Sequence, residues 1–526
     1  MKHSQITNNQ ICENPRNLRH LRSIKMKNQI KKSKLSYLLA IMACFVLSGC
    51  SNPKNQESTD AEKSAVADTN VFEGNFWRNQ ALTDIMPYWL EHSLDTVDGA
   101  FITNFDRSWN QIKGTEKHPS MISRHIFGYS VAYLFTGEEK YLNIASGAVD
   151  FLLEHAWDKE YGGWYNRLDK QGNPTDSTKN TFVQFYTNTG LSLYYLVTHD
   201  KNVLRYIEKS NEIAETKRQD TINGGFYDVL NRDLSVKSYG KNFSSEVVPV
   251  SSYMLYLYLA TRDDKYLEQA ERIMNVALDK MQCPETDWII EPFDKDWNCI
   301  TRNSNLKTEI NIGHNQELVW MFYRLYLLTE KKEYLDSTKA ITEKIYKWGV
   351  AENGAWYSNS GRKDPSMHTD FSYWWIQVYG NMFDIFNYKL TGDKKYLKHF
   401  KKGADFWNKY FIDKKYGDTY RGVFLDGKIK DDIKAAPDKT CYHAMEYNLL
   451  ISLYLDLWVN EKPVELYYCI QSPKENEKFY PSPIEDLSVK IEEVTINGEN
   501  WADFNKDEAY INLPGLEKVE MKVVLK

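Results

Sequence analysis

The 526-residue sequence has little that marks a nucleic-acid binder, a disulfide scaffold or a metalloprotein. Lys and Arg number 66 against 72 Asp and Glu, a formal net charge of −6, so no basic excess is available to neutralise phosphates. Nucleic acid is therefore excluded as a partner. Of seven cysteines, Cys12, Cys44 and Cys50 fall at the N-terminus, and Cys283, Cys299, Cys441 and Cys469 are widely spaced without a Cys-x-x-Cys pair. That pattern is neither a disulfide framework nor a zinc cluster. No Cys/His spacing suggests a metal site, so neither metal nor other cofactor is expected. The N-terminal apolar run, residues 38–47, is too short to cross a bilayer.

That short run has a different meaning. It follows a Lys-rich segment and ends in Leu47-Ser48-Gly49-Cys50. A basic region, a short apolar region and small residues before a cut make residues 1–49 a secretion signal. Met26 is an alternative start that leaves a signal of ordinary length. The Leu-Ser-Gly-Cys ending resembles a bacterial lipobox, which implies that Cys50 is acylated. The expected location is the bacterial cell envelope, lipid-anchored on the periplasmic side or outer surface. Residues 50–73 are polar and read as a flexible tether.

Aromatic residues, by contrast, are abundant at 14%, with 15 Trp and 36 Tyr. They suit either the stacking platforms of a sugar cleft or a helical core sealed with rings. A repeat gives them a frame. Thr136-Gly-Glu-Glu-Lys-Tyr-Leu recurs as variants beginning at Thr198, Thr261, Thr329 and Thr391, spaced 62, 63, 68 and 62 residues apart. A fixed period marks a repeated supersecondary unit. Each unit reads as an apolar helix, a Thr turn that caps an amphipathic helix, and a Gly-aromatic turn such as Gly162-Gly-Trp164 or Gly224-Gly-Phe226. Six such turns, the fourth without its glycines at Asp287-Trp288, imply six helical hairpins. An inner ring wrapped by an outer ring follows. The expected fold class is all-α, an (α/α)6 barrel over 74–462, with an open superhelix as the alternative. After Pro463 the pattern turns strand-like, with Asn497-Gly498 as a hairpin turn, so 463–526 reads as a small C-terminal β appendage.

Counting back from each Thr, Arg124, Gln184, Glu246, His314 and the pair Trp374 and Trp375 all lie 12 to 17 residues earlier. Fifteen helical residues span about 22 Å, so these groups gather at one end of the barrel. His443 occupies the same phase in the sixth unit. Polar and aromatic groups converging at a barrel mouth describe a binding site. Histidine supplies a proton-transfer group near neutral pH. Glu317, three residues from His314, shares its face and is expected to orient its ring. Lys439 precedes the sixth helix and joins the set.

At these residues the chain resembles the N-acylglucosamine 2-epimerase family. The matching elements are residues 117–124 and 179–184, Gly313-His314-Asn-Gln-Glu317, Trp374-Trp375-Ile-Gln377 and Tyr442-His443, in order, covering about 75–460. The resemblance implies His314 and His443 as acid and base at C2 of a reducing-end sugar, acting through an enediolate. It further implies Arg124 on substrate oxygens and Trp374 or Trp375 stacked on a sugar ring. Gln184, Glu246, Glu317 and Lys439 complete the expected substrate-binding set for a mono- or oligosaccharide. The chain departs from the family at three places: a third histidine near 248 or 249 is replaced within Glu246-Val-Val-Pro-Val250, a carboxylate by Tyr379, and an arginine by Glu446. Two other readings stand beside a sugar epimerase or isomerase. One is a glycoside or unsaturated-uronyl hydrolase using Glu246, Glu317 or Asp370. The other is a non-catalytic glycan-binding lipoprotein.

Overall fold

The computed structural model describes residues 70–300 and 309–526. The secretion signal, Cys50 and nearly all of the tether lie outside the described residues. The helices alternate between two shells. The outer helices are α1 (74–92), α3 (139–156), α5 (201–218), α7 (Asp264–Met281), α9 (Glu333–Trp348) and α11 (395–411). The inner helices are α2 (Pro119–Thr136), α4 (Thr181–Thr198), α6 (243–261), α8 (Ile312–Thr329), α10 (Trp374–Thr391) and α12 (442–459). Together they close the (α/α)6 barrel expected from the repeat.

Composition explains the two shells. Every residue of α2 from Pro119 to Phe135 is buried, because the helix is enclosed on all sides. In α5 the buried positions are Val203, Ile207, Ser210 and Asn211, a stripe at i, i+4, i+7 and i+8. The repeated threonine does two jobs at the inner C-termini. Thr198 Oγ1 donates to the Tyr194 carbonyl at 2.7 Å and accepts from the Asp200 N–H at 3.3 Å. Asp200 then caps α5 by accepting from the Asn202 and Val203 N–H groups. The residue after each Thr adopts the left-handed conformation that ends the helix, as Gly137, His199, Arg262, Glu330 and Gly392.

The C-terminal strands are β1 (Val464–Gln471), β2 (Glu477–Phe479), β3 (Ile491–Ile496), β4 (Glu499–Asn500), β5 (Phe504–Asn505), β6 (Tyr510–Leu513) and β7 (Lys518–Leu525). They form antiparallel sheets in the orders β1-β7-β3-β4 and β2-β6-β5. Asn497 and Gly498 both take positive φ, at 52° and 86°, in the two-residue turn between β3 and β4. This region is packed into the same compact unit as the barrel. It covers the Thr-turn end, opposite the mouth. Glu477 pairs with His199 at 3.1 Å, Asp486 with Lys389 at 2.7 Å, and Arg262 lies 5.3 Å from the Tyr480 ring centroid. Glu485 reaches furthest in, to a fully buried ion pair with Arg324 of α8.

Neighbouring inner helices approach closely where α2 meets α4. Ser123 Oγ donates to the Thr187 carbonyl at 2.6 Å and accepts from the Gly190 N–H at 2.9 Å. A Cβ on Gly190 would stand 1.8 Å from the Ser123 carbonyl oxygen, a backbone atom that cannot swing aside. Gly190→Ala should therefore destabilise the barrel by at least about 2 kcal/mol, read as a lowered denaturant midpoint at unchanged slope. An unchanged midpoint would mean that the two helices can separate freely.

Candidate active site

The N-terminal ends of the inner helices ring the mouth, and the loops entering them need buried hydrogen bonds. In four units these loops share one device. Lys117, Lys179, Lys241 and Lys434 are buried and pair with Asp95, Asp158, Asp220 and Asp413 at 2.8, 3.1, 2.7 and 3.0 Å. Each aspartate also accepts backbone N–H groups two and three residues on, as Asp220 does from Ile222 and Asn223. Each lysine also donates to a carbonyl of the Gly-aromatic turn, as Lys241 does to Gly224 at 2.6 Å. Lys439 repeats the motif with Asp418 at 2.6 Å and the Lys434 carbonyl at 2.9 Å. It is 0% exposed, so the expected substrate-binding role is corrected: Lys439 holds the rim together.

A second clasp corrects two more assignments. Gln184 accepts from the Trp164 N–H at 2.9 Å and donates to the Trp164 carbonyl at 2.6 Å. Asn315 does the same for Ile289, and Gln377 accepts from the Trp356 N–H while donating to the Gly354 carbonyl. Glu246 holds the equivalent place against Phe226 at 3.0 Å. Burial pushes its carboxyl up to about 7, toward the protonated form that can imitate the amide of its counterparts. Gln184 and Glu246 thus fasten the Gly-aromatic turns and do not line the cavity.

Arg124, Phe182, Tyr186, His314, Glu317, Trp374, Trp375, Asp438 and His443 enclose a cavity of about 160 Å³ at the mouth. This is the volume of roughly five waters at about 30 Å³ each. The helical period explains which neighbours face it. Phe182 and Tyr186 are four apart and share the inner face of α4, whereas Gln184 lies between them on the other side. His314 and Glu317 share the inner face of α8 in the same way, and Asn315 points to the clasp. The Arg124 guanidinium lies 3.8 Å from the Tyr186 ring centroid and 5.1 Å from that of Phe182, and donates to the Asp438 carbonyl at 3.2 Å. Trp375 stands between the two histidines, 5.5 Å from the His314 centroid and 6.3 Å from His443. Trp374 is only 2% exposed, so Trp375 offers the freer ring surface.

Glu291 supplies what was expected of Glu317. Its carboxylate hydrogen-bonds His314 Nδ1, while Phe243 stacks on the imidazole at 3.9 Å with an interplanar angle of 4°. Glu317 instead sits beside Ser251, and burial raises its carboxyl above the usual range. Glu291 lies in the loop after Trp288, which carries no periodic signal from which this contact could be read. For His314, burial opposes the charged form, but the Glu291 carboxylate outweighs it and the ring is raised above its ordinary value. His443 moves the opposite way. Burial and then the Arg124 charge hold it well below its ordinary value. The cavity therefore pairs an imidazole favoured as imidazolium with one held neutral. The third inner helix contributes buried Val248 and Pro249 where the family carries its third histidine. Among the described residues no group of three His, Cys, Asp or Glu side chains is placed to hold a metal, and no helix is long and apolar enough to cross a membrane.

An (α/α)6 barrel with two oppositely poised histidines at a ring-lined mouth defines a carbohydrate epimerase or isomerase. The N-acylglucosamine 2-epimerase (GlcNAc 2-epimerase) family signature matches residues 99–446, and the chain belongs to that family. It is 24% identical to the cellobiose 2-epimerase of Bacteroides fragilis over 387 residues, 70% of this chain and 95% of that protein. It is 23% identical to the D-mannose isomerase of Marinomonas mediterranea over 382 residues, 68% and 92% of the two chains. The structure of cellobiose 2-epimerase from Spirochaeta thermophila shares the fold at a TM-score of 0.66 and 19% identity, covering 73% of this chain and 97% of that one.

Glu291→Gln should lower the His314 pKa by about one pH unit or more, because it removes the carboxylate that stabilises the imidazolium. Histidine Cε1–H chemical shifts followed across pH, with His314→Asn to assign the resonance, make the measurement. An unmoved His314 midpoint would dismiss Glu291 as its partner.

Proposed function

We propose that the barrel interconverts reducing-end sugars at C2 by proton transfer between His443 and His314. The observation that carries this reading is the pair of imidazoles lining one cavity with their basicities driven apart, the pattern expected of a base and an acid. His443, neutral, takes the C2 proton of the open-chain aldehyde. The His314 imidazolium, held by Glu291, gives a proton back from the other side, yielding the epimer. Delivery at C1 instead yields the ketose. Arg124 stabilises the enediolate oxygens, and Trp375 offers the ring face for stacking. A cavity of this size takes one sugar residue, so any further residues of a longer substrate lie outside it. One arginine and a cationic His314 face Glu317 and Asp438 in the wall, a balance that suits a neutral sugar over a sugar acid. The hydrolase reading has less support: of Glu246, Glu317 and Asp370 only Glu317 lines the cavity, and the other carboxylate in its wall, Asp438, is paired with Arg421.

The same proposal places the enzyme at the bacterial envelope, with Cys50 as a lipidated N-terminus and a polar tether leading to the barrel. The support is the Leu47-Ser48-Gly49-Cys50 ending after a short apolar run. Cys50→Ser should abolish lipid labelling and remove the protein from the membrane fraction. Labelling that survives the substitution would end the anchor proposal.

Mannose, glucose, cellobiose and N-acetylglucosamine incubated in heavy water give the catalytic test. From at least one of them the enzyme should form the epimer carrying deuterium at C2, or the ketose carrying deuterium at C1. His314→Ala and His443→Ala should each lose about 10²- to 10⁴-fold in turnover with helical circular dichroism intact. The double variant should be little worse, since the two act as a unit. Near wild-type conversion by both single variants would move the chemistry elsewhere.

A further inference from the structure

The mechanism above leaves one buried acid unused. Glu446 lies three residues after His443 on α12, 1% exposed, beneath the cavity floor. Its Oε1 accepts from the Tyr442 hydroxyl at 2.8 Å, and its Oε2 from the Tyr379 hydroxyl of α10 at 3.4 Å. His443 Nδ1 is buried with no hydrogen-bond partner, and Glu446 Oε2 is 3.9 Å from it. A buried ring nitrogen without a partner is costly, so a shift of about 1 Å that closes this gap is favoured. The other titratable and charged groups facing Glu446 are Arg124 of α2, Tyr186 of α4, Tyr256 of α6, Glu317 and Arg324 of α8, and Tyr454 of α12 itself.

We propose that Glu446 is the positioning residue of His443, and that the proton on Glu446 decides which nitrogen of the His443 ring is free to act as base. With Glu446 protonated, its Oε2–H donates to Nδ1, and the ring carries its own proton on Nε2. In that form Nε2 cannot accept a proton from substrate. Loss of one proton from the pair reverses this. The Nε2 proton leaves to solvent, the Oε2 proton passes to Nδ1, and the Glu446 carboxylate accepts from Nδ1–H. Nε2 then holds a free lone pair toward the cavity. Burial raises the Glu446 carboxyl to about 8, so the switch falls on the alkaline side of neutrality. The ring itself stays singly protonated throughout, because burial and Arg124 keep it from taking a second proton. This inference builds on the base role given to His443 but is readable without any substrate.

The test uses the full-length enzyme with ¹⁵N-labelled histidine, His443→Asn serving to assign the ring. In the wild type, the Nδ1 and Nε2 resonances should exchange pyrrole-type and pyridine-type positions with a midpoint near pH 8. Glu446→Gln should abolish that exchange, because an amide can accept from Nδ1–H at every pH. Tyr379→Phe removes a donor to Oε2, so it should move the midpoint upward, and it covers the case in which Glu446→Gln does not fold. A ring whose nitrogen shifts are flat from pH 6 to 9.5 in the wild type would overturn the proposal. So would a transition unchanged in Glu446→Gln, or unchanged in Tyr379→Phe where the first variant does not fold. Where turnover is found, the wild-type rate should rise through pH 8 and that of Glu446→Gln should not. If no sugar turns over yet the ring transition appears and disappears as stated, the epimerase reading fails while the pairing stands.

Discussion

Backbone groups at the rim of the barrel have to find partners away from water, and the mouth is built around that requirement. Each chain segment entering an inner helix turns beneath the rim, where an unpaired N–H or C=O is expensive. The buried Lys–Asp pairs answer this in the first, second, third and sixth units. In each, an aspartate accepts the N–H groups of its turn and a lysine binds both that aspartate and a turn carbonyl. A buried ion pair gains little over an apolar replacement, but losing one member strands the other charge, at about 3–5 kcal/mol. The fourth unit has Cys283 in the aspartate position, and Arg362 donates to its sulfur at 3.4 Å. Rigid walls follow, and rigid walls hold imidazoles at fixed separations.

What the sequence made legible was whatever is local and repeated. The threonine turn was readable because its hydrogen bonds span two to four residues, so identical chemistry recurs wherever the phrase recurs. Register also placed Arg124, His314, Trp375 and His443 correctly at one end. It did not settle direction. Gln184 and Phe182 lie at the same height on α4, yet two residues turn the helix by about 200°, so one fastens a turn and the other lines the cavity. Lys439 was misjudged for a related reason: it lies in extended chain before α12, where the helical count says nothing about facing. Glu291 was out of reach because its contact with His314 joins an irregular loop to a helix. The sealing of the barrel by the β region was out of reach too, since Arg324 and Glu485 are 161 residues apart.

The two histidines owe their difference to what surrounds each, as their positions in the repeat are equivalent. His314 sits partly exposed at the rim with a carboxylate on Nδ1, so its charged form is stabilised more than burial disfavours it. His443 is nine-tenths buried among Trp374, Tyr379 and Tyr442, with the Arg124 guanidinium as the nearest cation acting on it. Two copies of one helical position thereby acquire opposite proton affinities. Evolution of a repeat needs only to change the neighbours of a histidine to change what that histidine does.

The β region bears on this asymmetry through α8. Arg324 is fully buried under the cavity floor, and its charge lowers the Glu446 carboxyl. Left alone it would draw Glu446 further toward the carboxylate, and so move the exchange of the His443 ring nitrogens to lower pH. Glu485 occupies Arg324 from the other side and offsets part of that charge. Burial still holds the proton on Glu446 near neutrality, and the lone pair on His443 Nε2 is freed as that proton is lost. A module lying at the far end of the barrel from the mouth thus takes part in setting the charge state of the group at its centre, by offsetting part of one cation's charge.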